Sequence, residues 1–201
     1  QLGLGAVLTD DQAALTEPVQ EVADVVLGDR LAGCLGDHGG HLNFGAREQG
    51  VAELNWMVDV PVLEEKLAQA VRFQTYIEEM SEPVAAPLTV ICEGRASQTR
   101  AELGVEFEVK HYAQHALACR IKTAAPHHQV AKQWFQNIQG PEILAFLPIG
   151  GEHSHEWAIV WSLPPERAQV LLKTDDAEFC AQLESASHQF AGQIQLTSER
   201  A

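Results

Sequence analysis

Glu156-Trp157-Ala158-Ile159-Val160-Trp161-Ser162-Leu163 alternates large apolar and small side chains over a full strand length. Trp157, Ile159, Trp161 and Leu163 fall on one face and Ala158, Val160 and Ser162 on the other, so one face packs while the other lines a cavity or solvent. The same period recurs upstream, where His115, Leu117, Cys119 and Ile121 alternate against Gln114, Ala118, Arg120 and Lys122. Extended segments at His111–Lys122, Gln129–Asn137, Ile143–Ile149 and Glu156–Leu163, separated by Pro or Gly signals, predict an antiparallel sheet. Downstream, Asp175–Ala191 reads as an amphipathic helix. Asp175, Asp176 and Glu178 stand in its first turn, and Phe179, Cys180, Leu183, Ala186 and Phe190 form one stripe that would lie across the sheet. Gly192 ends it, and Gln193–Thr197 begins a further strand. The expected fold class is α+β.

Outward from this sheet, residues 18–27 are β-branched and predict a strand ended by Gly28-Asp29. The Gly-rich stretch Gly33–Gly50 predicts a loop with short strands at most. Asp59 and Pro61, followed by Val62, Leu63, Leu67, Ala70 and Val71 at helical spacing, predict a capped helix. A short extended segment over Phe73–Ile77 and a proline-broken connection over Glu82–Pro87 come next. Leu88-Thr89-Val90-Ile91-Cys92 then reads as a buried strand entering a tight turn at Glu93-Gly94.

Composition narrows the function. With 201 residues, 46% of them hydrophobic, the chain can bury a sizeable core. Thirteen Lys+Arg against 28 Asp+Glu, a formal charge of −15, repel phosphate backbones and exclude nucleic acid as the expected partner. No apolar run reaches the roughly 20 residues that cross a bilayer, and no secretion signal is expected. Cys34, Cys92, Cys119 and Cys180 form no Cys-x-x-Cys pair, which suits a reducing, cytoplasmic location. Cys34, His38 and His41 are spaced for metal, but lack a fourth ligand and read as surface loop residues. No metal is expected. His127/His128 and His153/His155 read as solvated turn and hairpin residues, and Gly3-x-Gly5 is not a dinucleotide fingerprint.

The motif that carries chemistry is Cys92-Glu93-Gly94-Arg95-Ala96-Ser97-Gln98-Thr99-Arg100. Its glycine lets the backbone approach a ligand, its carboxylate accepts from hydroxyls, and Ser97 and Arg100 serve a polar or anionic group near a helix start. On residue types alone, an ordinary strand-to-helix turn and a cofactor-edge turn are both open.

Here the sequence resembles the aromatic flavin monooxygenases of the para-hydroxybenzoate hydroxylase type, and among them the ubiquinone-biosynthesis hydroxylases. Their Asp-Gly-x-x-Ser-x-x-Arg motif aligns with Glu93, Gly94, Ser97 and Arg100, with Glu93 in place of Asp. Tyr112-Ala113-Gln114-His115-Ala116, Pro126-His127, Ala131-x-x-x-Phe135, Gly140-Pro141, Leu144-Ala145-Phe146-Leu147-Pro148 and Ile159-Val160-Trp161-Ser162 continue the resemblance in order. Upstream, Gly36-Asp37-His38-Gly39-Gly40-His41, Leu54-Asn55-Trp56-Met57-Val58 and the Leu63/Leu67 helix extend it. The family's first glycine fingerprint and its late Gly-Asp motif have no counterpart here, so the resemblance implies an internal fragment of a longer enzyme.

That resemblance implies an antiparallel-sheet substrate domain with a covering helix, joined to a partial α/β FAD-binding segment. Residues 1–55 would be the first part of the substrate domain, 56–104 the FAD-domain segment, and 105–201 the main substrate-domain sheet. Its implied activity is FAD-dependent hydroxylation of a polyprenylated phenol in ubiquinone biosynthesis, in which the cofactor carries the oxygen chemistry and the protein orients substrate and excludes water. FAD belongs to the parent enzyme, and this chain is expected not to retain it or to be active alone. Glu93, Gly94, Ser97 and Arg100 would contact the cofactor; His127, Trp134, Phe146, Trp157 and Trp161 would contact substrate. Implied partners are the hydrophobic phenol or quinol, a peripheral membrane or protein-complex association of the parent, and a homo-oligomer. A non-catalytic α+β binding or assembly module is the other reading, and a small acidic lyase using His127 a third.

Overall fold

A computed structural model describes residues 25–28, 30–35, 40–137 and 140–201, with side chains from residue 42 onward. Contacts divide the chain into two units, one holding Pro61–His111 and the other residues 25–60 with Tyr112–Ala201.

The second unit is built on a sheet. Its strands are β2 (Arg30–Leu35), β3 (Gly40–Gly45), β5 (His115–Thr123), β6 (Val130–Asn137), β7 (Pro141–Ile149), β8 (Glu156–Leu163) and β9 (Ile194–Leu196). They lie in the order β3-β2-β6-β7-β8-β5-β9. Every pairing is antiparallel except β2 with β6. The alternation over 156–163 sets the register: Trp157 pairs with Ile121 and Pro148, and Trp161 with Leu117 and Leu144. Beyond β9 the chain continues beside β5, where Ala118 and Ala201 exchange backbone hydrogen bonds of 2.8 and 3.0 Å. A separate two-stranded ribbon, β1 (Val25–Gly28) with β4 (Asn55–Val58), belongs to the same unit.

One face of the sheet is packed over β5–β8. Leu117, Cys119, Ile121, Trp134, Leu144, Phe146, Trp157, Ile159, Trp161 and Leu163 are buried there against Ala168 and Leu171 of α3 (Pro165–Lys173) and Phe179, Leu183 and Ala186 of α4 (Asp176–Ala186). Aromatic edges meet faces inside it, with Trp134 5.0 Å from Phe146 and Phe146 5.6 Å from Trp157, the geometry that ring quadrupoles favour.

Several expectations need correcting. The strand expected over residues 18–27 is observed as β1, Val25–Gly28; residues 18–24 lie outside the described residues. The stretch Gly33–Gly50, expected as loop with short strands at most, holds the end of β2 and all of β3, two six-residue strands paired as a hairpin in which Cys34 stands opposite His41. Hydrogen bonding of β2 to β6 supplies the context that turn-rich composition lacks. His38 lies outside the described residues. The strand expected from His111 starts at His115. The helix expected over Asp175–Ala191 is two features: α4 ends at Ala186, and His188 and Gln189 then take left-handed φ of 53° and 54° before Gly192. Phe190 is thereby outside the helix. Ahead of it, α3 was not expected. Its start is written in Pro164-Pro165, since proline fits the first helical turn.

In the first unit, α1 (Val60–Arg72) forms as its spacing predicts, yet buries no residue. Phe73–Ile77 is a turn, not an extended segment. Leu88–Cys92 is likewise not a buried strand: Leu88 is 76% and Val90 69% exposed, and no described residue pairs with the segment. A β-prone run becomes a strand only where a neighbour takes its backbone hydrogen bonds. A short helix, α2 (Gln98–Glu102), follows the Glu93-Gly94 turn. No helix among the described residues is long and apolar enough to cross a membrane.

Candidate functional site

The motif at Glu93–Arg100 is a turn closed by its own side chains. Ser97, 6% exposed, caps α2: its Oγ accepts from the Arg100 amide at 3.1 Å and donates to Glu93 Oε2 at 2.8 Å. Glu93 Oε2 also accepts from the Thr99 amide at 3.1 Å, and Oε1 accepts from the Thr99 hydroxyl. These bonds, Thr99 first and Ser97 second, hold the Glu93 carboxyl below its ordinary range, because hydrogen bonds to a carboxylate favour its ionised form. Arg100 reaches back to the Gly94 and Arg95 carbonyls at 3.5 and 2.8 Å and lies 4.1 Å from the Phe107 ring centre.

The Glu93 carboxylate thus folds onto the start of α2 and accepts these bonds. Gly94, at φ +76° with nothing within 4 Å of a Cβ built on it, presents open backbone at the outside of the turn. Only glycine takes that φ without strain. The four motif residues are therefore brought together: Glu93, Ser97 and Arg100 brace the turn, and Gly94 offers the surface that a ligand would approach.

The other candidate residues lie in the second unit. Trp134, Phe146, Trp157 and Trp161 are all on the packed face, at most 3% exposed. Trp157 Nε1 donates to Thr123 Oγ1 at 2.9 Å. His127 is not in a solvated turn but 3% exposed; its Nε2 donates to the Ile149 carbonyl at 3.0 Å and its Nδ1 accepts from the Gln129 amide at 3.0 Å. Burial lowers its basicity, the Ile149 bond partly offsetting this. Its ring stands edge-on to Trp157 at 5.2 Å. His155, expected in solvent, is half-buried and donates from Nδ1 to the Thr123 carbonyl at 3.0 Å, while His153 is exposed as expected. Among the described residues no His/Cys/Asp/Glu group is arranged to hold a metal ion.

What the alternation also encodes is the opposite face. Register places Ala118, Val160 and Ala145 in one row and Arg120, Ala158 and Leu147 in the next. The central side chains here, Ala145, Leu147, Ala158 and Val160, are half-buried, in contrast to the sealed helix side. Asp59, at the end of the ribbon, meets Arg120 over this face at 2.7 Å. The sequence marks this face as lining a cavity or solvent through Ala158, Val160 and Ser162, whereas the expected substrate contacts fall on the large aromatic residues of the packed face.

Residues 41–200 match the family model described as FAD binding domain. The chain belongs to that FAD-binding family. Among curated proteins, the chain is 28% identical over 113 residues to an uncharacterized protein, slr1300, of Synechocystis sp., covering 56% of the chain and 26% of that protein. Among solved structures it is similar to PqsL of Pseudomonas aeruginosa, described as a probable FAD-dependent monooxygenase. The TM-score is 0.60 at 16% identity, over 87% of this chain and 56% of that one. PqsL in complex with 2-aminobenzoylacetate gives 0.55 with the same identity and coverage. The chain thus shares the α+β fold of PqsL and spans about half the length of the solved chains it matches.

Proposed function

We propose that this chain carries the substrate sheet and one flavin-side turn of an FAD-dependent monooxygenase that hydroxylates an apolar phenol. A polyprenylated precursor of ubiquinone is the substrate class that the sequence resemblance favours. The observation that carries the reading is the two-sidedness of the sheet. Its helix-covered side is sealed by aromatic core, so a phenol has its place on the other side, over Ala145, Leu147, Ala158 and Val160. Small side chains there admit a flat ring, and the apolar lining suits a hydrophobic substrate. Trp134, Phe146, Trp157 and Trp161 support that face from behind and fix its strands.

FAD, when bound, supplies electron storage and oxygen activation. Gly94 would offer its open backbone to the cofactor, and Glu93, Ser97 and Arg100 hold that turn in shape. The turn suits such a contact because its polar side chains are already satisfied and its glycine backbone is open. One short turn makes too few contacts to retain FAD alone, so the isolated chain is expected to bind substrate and not to turn over.

Titrating the chain with 2-geranylphenol, followed by amide chemical shifts, tests the reading. Shifts centred on Ala145, Ala158 and Val160 support it. Shifts elsewhere, or none at saturation, overturn the assignment of this face. A parallel FAD titration by flavin fluorescence is expected to show no stoichiometric complex; tight one-to-one binding would make the chain a minimal flavoprotein and overturn the fragment reading.

A further inference from the structure

We propose that neutral His127 is the catch of a proton-operated turn: its Nδ1 holds the Gln129 amide in place, and protonation at that atom releases Pro126–Gln129. The proposal rests on the geometry of the sheet-bearing unit and is independent of the monooxygenase reading.

The hydrogen bonds assign the ring's protonation state. Nε2 lies 3.0 Å from the Ile149 carbonyl, which only accepts, so Nε2 carries hydrogen. Nδ1 lies 3.0 Å from the Gln129 backbone nitrogen, which only donates, so Nδ1 is bare. The ring is therefore the neutral Nε2–H form, and a further proton has one place to go. Arriving at Nδ1, it points at the Gln129 N–H and replaces an attraction by a repulsion. Because the side chain is 3% exposed, solvent does not relieve that conflict while the turn stays closed.

The backbone that His127 holds is itself unusual. His128 and Gln129, consecutive residues with side chains, take left-handed φ of 49° and 59°. Such a pair persists only where neighbouring contacts hold it. Besides the Nδ1 bond, those contacts are His127 N to the Ser154 carbonyl at 3.1 Å and Val130 N to the His127 carbonyl at 3.0 Å. The titratable groups acting on the ring are His128 in the same turn and His155 at the entry to β8, and both disfavour a positive charge on it. From β7 the facing group is the Ile149 carbonyl, and from β8 the Trp157 ring. Glu156 alternates to the other face of β8. The turn feeds β6, so its release frees the start of the strand that carries Gln133 and Phe135 to the face opposite the helices.

Hydrogen exchange at the Gln129 amide, corrected for the intrinsic effect of pH, tests this on the intact chain between about pH 7.5 and about pH 5, with the Cys119 amide inside β5 as reference. The expected result is loss of about tenfold or more in protection at Gln129 with Cys119 unchanged. His127→Gln accepts and donates through its amide without titrating, so it should keep Gln129 protected at both pH values. Unchanged protection in the wild type, or an equal acid response in His127→Gln, overturns the proposal. If that variant does not fold, the wild-type ring decides through its nitrogen shifts. Titration of Nδ1 in step with Gln129 exchange supports the catch, and a protonated Nδ1 at neutral pH overturns it.

Discussion

Arg120 and Asp59, 61 residues apart in sequence, close an ion pair of 2.7 Å over the small-residue face of the sheet. The two partners are unequally wetted, Arg120 at 42% and the Asp59 side chain at 9% exposure. Removing the arginine leaves a desolvated carboxylate, whereas removing the aspartate leaves a cation that water reaches. Arg120→Met is therefore expected to destabilise by about 1–2 kcal/mol, below the range for fully buried pairs because Arg120 is screened. Asp59→Asn should cost less. Urea unfolding of both variants checks the order, and a larger loss for Asp59→Asn would contradict it.

A second ion pair is sealed on the helix side. Arg167 Nε of α3 lies 2.7 Å from Glu142 Oε1 of β7, with side-chain exposures of 17% and 1%. Glu142→Leu alone should cost on the order of 3–5 kcal/mol, and the double variant Glu142→Leu/Arg167→Met should regain most of it, since buried pairs tolerate joint replacement by apolar groups. A double-mutant cycle in thermal unfolding reads this directly; purely additive losses would show that the two charges are not coupled.

Ser97→Ala removes the cap of α2 and the donor to Glu93 together. The expected loss at the cap is about 1 kcal/mol, seen as faster exchange of the Arg100 amide with the second unit unaffected. The bonds from Thr99 and Ser97 keep the Glu93 carboxyl below its ordinary value. Their contribution is thus fully present above the ordinary carboxylate value of about 4.3 and is lost as pH falls through the lowered one. Arg100 protection that rises as pH falls through that window would reverse this sign.

Burial pushes the Cys119 thiol up to about 12, and Cys180 is raised for the same reason, while Cys92 is exposed. Thiolate is the reactive form. In a Cys34→Ser background, iodoacetamide near neutral pH should label Cys92 first and Cys119 only when the chain unfolds. Peptide mapping after brief labelling checks it; early modification of Cys119 would mean that the helices lift from the sheet.

Strand identity was legible where both faces of a segment carry different side chains, as in Glu156–Leu163, whose ends agree with the expected ones. It was illegible where hydrogen-bond partners come from far away. Gly33 and Gly45 read as loop residues because nothing local says that β6 will pair with β2. Leu88–Cys92 fails in the opposite sense: its side chains prefer a strand, but that preference yields no ladder without a neighbour. At the candidate site, the Ser97 cap could be read from residue type. The fold-back of Glu93 could not, because it depends on the path the backbone takes between Gly94 and Thr99. Trp134, Phe146, Trp157 and Trp161 drew attention by size, and size is what places them in the core.

The parallel pairing of β2 with β6 joins Leu31 to Ala131, residues about 100 positions apart, so the sheet closes only after a long stretch of chain has been made. On a ribosome, the β2–β3 hairpin emerges early and waits for its partner while Pro61–His111 is synthesised. Helices and antiparallel hairpins downstream of Tyr112 assemble from local contacts; the far edge is sewn on last. The slow step in refolding is therefore expected at β2–β6, and a chaperone that shields an unpaired edge would act on that hairpin first.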